Sequence, residues 1–123
     1  MGRQKDAINY IESAIMVSPR NPLLGIYYAA LSLAHLLLRD YEEAAVWAEK
    51  AVRYPQARYA PAFLLSALGH AGKSKEARTS LSELLRVRPE FSISYLRENF
   101  VVANETDVDH FLDGLAKGGL PEK

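Results

Sequence analysis

The sequence predicts an all-α chain, and three observations predict it. Proline and glycine cut the chain into pieces of helical length, apolar residues recur at helical spacing inside those pieces, and the β-branched alternation that marks strands is scarce. With 123 residues, 49% of them apolar, there is material for one modest core. Helices are expected over residues 4–17, 23–38, 41–53, 58–71, 75–87, 93–99 and 107–117.

The first of these carries Ala7, Ile8, Ile11 and Ile15 on one apolar face and stops at Ser18-Pro19, because proline cannot continue a helix. The second is almost wholly apolar, interrupted by Ser32 and His35; it is short for a bilayer span and reads as a buried helix. The third opens on Asp40, with Glu43 three residues on as a capping box. Glu42 and Glu43 sit in its first turn, where they favour the helix dipole and are not read as an acid/base pair. Along it Ala44, Ala48 and Ala51 fall at i, i+4 and i+7, a stripe small enough to let another helix come very close. Trp47 stands one residue off that stripe, as a packing residue.

The fourth helix runs into "GHAGKS", residues 69–74. A phosphate loop needs its first glycine two positions earlier and a strand before it, so the segment is expected to be a helix–helix turn, with Ser74 capping the fifth helix. That fifth helix stops at "VRP", and a short sixth follows. The seventh is expected to be capped by Thr106, with Asp109 three residues on, and to end in "KGGLP", where glycine supplies a left-handed C-cap. It carries Val108, Phe111, Leu112 and Leu115 on one stripe and Asp107, Asp109 and Asp113 on the other face.

Fifteen basic residues balance 15 acidic ones, which leaves no electrostatic footprint for nucleic acid or for an anionic membrane. The absence of cysteine removes disulfides and thiolate chemistry and suits a reducing cytoplasm. The N-terminal stretch lacks the apolar core of a signal peptide. Met1-Gly2 opens a myristoylation pattern, but Asp6 stands where that pattern wants serine or threonine. His35, His70 and His110 are far apart and lack metal-ligand spacing, and His35, amid leucines, is expected to be a packed, hydrogen-bonded core residue. Ser13 and Ser18 have no neighbouring base. No catalytic, metal or cofactor site is expected.

One phrase occurs three times: "DAINYIESAIMVSP", "EAAVWAEKAVRYP" and "EARTSLSELLRVRP". Ala7, Ile11, Ala14 and Pro19 correspond to Ala44, Ala48, Ala51 and Pro55, and then to Ala77, Leu81, Leu84 and Pro89. The phrase resembles the second half of a tetratricopeptide repeat. Tyr28, Leu31, Ser32 and His35 match the first-helix signature of the middle repeat, and Pro61, Leu64, Leu65 and Leu68 that of the third, with Gly72 at its turn. Arg39 stands where the family prefers glycine, the second repeat is one residue short before Pro55, and the third lacks the first-helix aromatic.

The resemblance implies a right-handed α-α superhelix of about two and a half repeats over residues 4–89, the first repeat half present, with residues 90–123 as a C-terminal capping segment. It also implies that the face of Ala7, Ile8, Ile11 and Ile15 lies open, that the chain is a fragment of a longer array, and that Met1-Gly2 is an addition to it. In this family the first helices line a concave groove. The matching positions are Ile26, Ala29 and Leu33, then Tyr59, Ala62 and Ser66, an apolar floor of small residues. Repeats that clamp the carboxylate tail of chaperones use lysine and asparagine there, and none is present, which disfavours that partner. The floor instead suits a peptide or protein partner, a second copy in a homodimer, or a segment or upstream domain of the parent chain; upstream repeats curling over it are the alternative.

A narrower likeness lies in the tail. "LLRVRPEFSISYLRENF" and "DVDHFLDGLAKGGLPEK" are similar to the C-terminal ends of bacterial proteins that join an adenylate/guanylate cyclase or winged-helix domain to a tetratricopeptide array. Arg88, Pro89 and Phe91, then Phe111, Leu112, Gly114, Leu115, Gly119, Leu120 and Pro121, carry it. The likeness implies a cytoplasmic signalling parent and places Lys123 near a natural C-terminus. Cyclase chemistry needs metal-binding aspartates on strands, which this chain does not offer, so the chain itself is expected to be a non-catalytic interaction module.

Overall fold

The computed structural model describes residues 2–100 and 104–123, and among these the chain forms seven α-helices and no strand. They are α1 (Gly2–Val17), α2 (Leu24–Leu37), α3 (Tyr41–Ala51), α4 (Ala60–His70), α5 (Ser74–Val87), α6 (Ile93–Asn99) and α7 (Glu105–Lys117). Every expected helix is present, with ends displaced by no more than two residues. Met1, half of the pair read for lipidation, lies outside the described residues. The chain divides into two compact units, Met1–Leu64 and Leu65–Lys123.

In the first unit α2 packs against both α1 and α3. Ala44, Ala48 and Ala51 have no exposed surface, so the alanine stripe does bring a partner helix close. The Ser32 hydroxyl donates to the carbonyl of Ala44 over 2.7 Å, and a Cβ on Gly25 would collide with the Cβ of Tyr54. The ring of Tyr28 lies 5.6 Å from Trp47 and 5.9 Å from Tyr54, between centroids. On the α1 side, Ile8, Leu31 and Ala34 form a core, with Ile11, Ile15, Leu38 and Trp47 packed against it. The isoleucine face expected to lie open is therefore covered by α2. The exposed apolar residues of α1 are Tyr10, Met16 and Val17 instead.

Three helices end in the same way. After α2, the amides of Asp40 and Arg39 donate to the carbonyls of His35 (2.9 Å) and Leu36 (3.0 Å). After α4, those of Lys73 and Gly72 donate to Leu68 (3.1 Å) and Gly69 (3.2 Å); after α7, those of Leu120 and Gly119 donate to Leu115 and Ala116 (both 3.0 Å). These are Schellman motifs, which place one residue in the left-handed region. Those residues are Arg39 (φ 64°), Gly72 (φ 72°) and Gly119 (φ 97°), so an arginine adopts the conformation that glycine takes at the other two ends.

In the second unit α7 meets the C-terminal part of α4 at backbone range. A Cβ on Gly69 would collide with the carbonyl of Gly114, and one on Gly114 with the Ser66 hydroxyl and backbone. That hydroxyl donates to the carbonyl of Phe111 over 2.8 Å. Leu84, Leu96, Phe111 and Leu115 have no exposed surface. The tail returns to α6: the amides of Ile93 and Ser94 donate to the carbonyls of Pro121 (3.0 Å) and Glu122 (2.8 Å), and that of Tyr95 donates to Ser92 Oγ (3.0 Å). The orphan amides that open a helix are thus satisfied within the chain.

Two expected caps are corrected. The N-cap of α7 is Asn104, whose side chain accepts from the amide of Thr106 over 2.8 Å. Ser74 is the first residue of α5, and Lys73 occupies the cap position without a side-chain bond. The Asp40 cap forms, with a long 3.5 Å bond from the Glu43 amide.

Candidate functional site

The N-terminal turn of α2, the 56–59 connection and the start of α4 enclose a surface pocket of about 250 Å³, all within the first unit. Ile26, Ala29, Gln56, Ala57, Arg58, Tyr59 and Phe63 line it. Successive turns set its wall: the Ala57 amide donates to the carbonyl of Tyr54 (3.0 Å) and the Ala60 amide to that of Ala57 (3.1 Å). The Arg58 guanidinium lies 5.8 Å from the centre of the Tyr59 ring, and Arg58 and Gln56 are the polar residues of a mainly apolar lining.

Of the six groove positions read from the sequence, Ile26, Ala29 and Tyr59 come together in this pocket. Ile26 is 42% exposed, whereas Ala29 forms a buried floor. Leu33 is half-buried and lies outside the lining. Ala62 and Ser66 have no exposed surface, and Ser66 already serves Phe111. Gln56, Ala57, Arg58 and Phe63 were not legible as lining residues, since three of them lie in a connection, where helical periodicity gives no signal. Among the repeat anchors, Ala77 is buried, Leu81, Ala7 and Ala14 are half-buried, and Pro19, Pro55 and Pro89 are exposed after their helices.

The histidines depart from expectation. The rings of His70 and His110 stack, 4.1 Å between centroids and 13° from parallel, and His70 Nε2 lies 2.7 Å from the carbonyl of His110, so its Nε2–H tautomer donates there. Forty residues of sequence separation concealed that contact. His35 does not form the expected hydrogen bond through Nδ1, which is buried 3.6 Å from Asp40 Oδ2, at ion-pair distance only. Trp47 packs as expected, with Lys50 Nζ 4.6 Å from its ring. On the exposed side of α5, the hydrogen bond from Arg86 holds the Glu83 carboxyl below its ordinary value, and Glu83 in turn raises Arg86. Among the described residues, no group of three or more His, Cys, Asp or Glu side chains is placed to hold a metal ion, and no helix is long and apolar enough to cross a membrane. The pocket presents shape and apolar surface to a ligand.

Residues 26–57 match a family model described as a tetratricopeptide repeat. No curated protein matches the chain, and no solved structure does. The matched segment covers nearly all of α2, the whole of α3 and the following residues to Ala57, which include Gln56 and Ala57 of the pocket wall. The seven helices without a strand among the described residues are consistent with that helical-repeat fold. Repeats of this kind are generally non-catalytic and mediate protein–protein interaction.

Proposed function

We propose that this chain is a non-catalytic interaction module that takes an apolar side chain of a protein or peptide into the pocket between Ile26, Tyr59 and Phe63. The observation that carries the reading is the pocket itself: an apolar cleft of about 250 Å³, open at a partly exposed isoleucine and edged by an arginine. Clefts of this kind gain affinity from the apolar area they bury and direction from the few polar groups at the rim. A random peptide library selected on the immobilised chain tests it. The reading expects enriched peptides with a shared apolar anchor, bound at least tenfold more weakly by the Ile26→Asp variant; enriched peptides indifferent to that substitution would contradict it.

At a finer level, the module belongs to a larger bacterial, cytoplasmic signalling protein carrying a nucleotide cyclase or a winged-helix domain, with residues 4–89 as the repeats and 90–123 as their cap. The tail sequence around Phe111, Gly114, Gly119 and Pro121 supports this, and the coding sequence upstream of the chain decides between the two domains. Cyclic nucleotide formation by the 123-residue chain alone would contradict the non-catalytic reading.

A further inference from the structure

Acidic and basic residues of the first unit are segregated along the chain. Its acids are Asp6, Glu12, Asp40, Glu42, Glu43 and Glu49. No acid stands between Glu12 and Asp40 or between Glu49 and Glu76, and these two acid-free stretches supply every residue that lines the pocket. Neither α2 nor α4, whose N-terminal ends enclose it, has an acid in its first turn. The basic residues of the same stretches within the first unit are Arg20, Arg39, Lys50, Arg53 and Arg58.

Helix length keeps most of the acids from cancelling that charge. Asp40, Glu42 and Glu43 open α3, whereas the connection that walls the pocket follows its last residue, Ala51. At about 1.5 Å of rise per residue, α3 sets roughly 12 Å between Glu43 and Ala51, more than the Debye length of about 8 Å at physiological ionic strength. Glu49 lies nearer and is followed by Lys50 and Arg53. Asp6 and Glu12 are exposed on α1, no residue of which lines the pocket. The apolar pocket therefore opens beside a connection that carries an exposed Arg53 and a half-buried Arg58 and no carboxylate.

Resting on the reading that the pocket takes an apolar side chain, we infer that this side chain belongs to an acidic peptide segment, one in which a large apolar residue is flanked by aspartate or glutamate. The anchor fills the cleft and carries its sequence neighbours across the 52–59 connection, where the field of Arg53 and Arg58 attracts side-chain carboxylates and repels ammonium groups. The attraction comes from the summed field and requires neither arginine to give up a contact it already makes.

Three unlabelled peptides serve as probes, each with one phenylalanine flanked on both sides by two glutamates, two glutamines or two lysines, and each acetylated and amidated so that no terminal charge enters. Calorimetric titration into the intact chain at low ionic strength is expected to show one-to-one binding of the glutamate probe, at least tenfold tighter than the glutamine probe, with the lysine probe weakest. Arg53→Gln at its exposed position, Arg58→Gln in the lining, and about 0.5 M sodium chloride are each expected to shrink the glutamate advantage, and the neutral Ile26→Ser to weaken both the glutamate and glutamine probes. Equal affinity of those two probes, both sensitive to Ile26→Ser, overturns the acidic class and leaves the pocket reading standing. Glutamate-probe binding indifferent to Ile26→Ser and to serine in place of its phenylalanine overturns both, since charge alone would then hold it. Absence of saturable binding by the glutamate probe, or binding only when its C-terminal carboxylate is left free, overturns the inference, while the library selection still decides the pocket reading.

Discussion

Arg39 and Gly72 perform the same turn with different chemistry. A left-handed conformation costs an L-residue roughly 1–2 kcal/mol, and glycine gives back roughly 0.5–1 kcal/mol in unfolded-state entropy. Arg39→Gly is therefore expected to stabilise the chain by about 0.5–1 kcal/mol in urea unfolding. Gly72→Ala is expected to cost about 1 kcal/mol or more, although nothing lies within 4 Å of the added methyl; the penalty is conformational, and an unchanged midpoint would contradict it. The family preference at position 39 was legible before the conformation was, because the departure from glycine marks the turn. The caps of α5 and α7 were less legible. Several capping residues cluster at 104–107, and sequence spacing does not say which of them stands outside the first turn.

The crossings of helices decide which positions tolerate volume. Ala48 sits fully buried against a close neighbour, so Ala48→Leu is expected to overpack and lose roughly 1–3 kcal/mol in chemical denaturation. Gly114→Ala, where Cβ meets the backbone of Ser66, is expected to cost at least as much, about 1–3 kcal/mol or more, whereas loss of the buried hydroxyl in Ser66→Ala is expected to cost only about 1 kcal/mol. A reversed order of the last two would mean that the hydrogen bond, not the close approach, holds α7. The alanine stripe announced the first crossing through its period. Nothing local announced the second, since Gly69 and Gly114 lie 45 residues apart. The tail is similar: Leu120 is buried and the carbonyls after it cap α6, a role for the "GLP" ending that its sequence likeness did not specify. Leu120→Ala is expected to cost roughly 2–5 kcal/mol, read as a lowered denaturation midpoint.

For the whole molecule, the period of the repeats made the helical architecture legible, and only part of the candidate site. Helical register located Ile26, Ala29 and Tyr59; the connection that closes the pocket, with Gln56, Ala57 and Arg58, follows no register and emerged only in three dimensions. Ile26, partly exposed at the mouth of that pocket, is the position where a lesion should act: Ile26→Asp is expected to impair peptide capture with no loss of helix in far-ultraviolet dichroism. The most direct test of the central claim is a nuclear magnetic resonance titration of the isotopically labelled chain with a library-selected peptide. The account predicts that the largest shifts fall on Ile26, Ala29, Ala57, Tyr59 and Phe63. Shifts concentrated around Ser66 and Gly114, with the pocket residues unmoved, would contradict it.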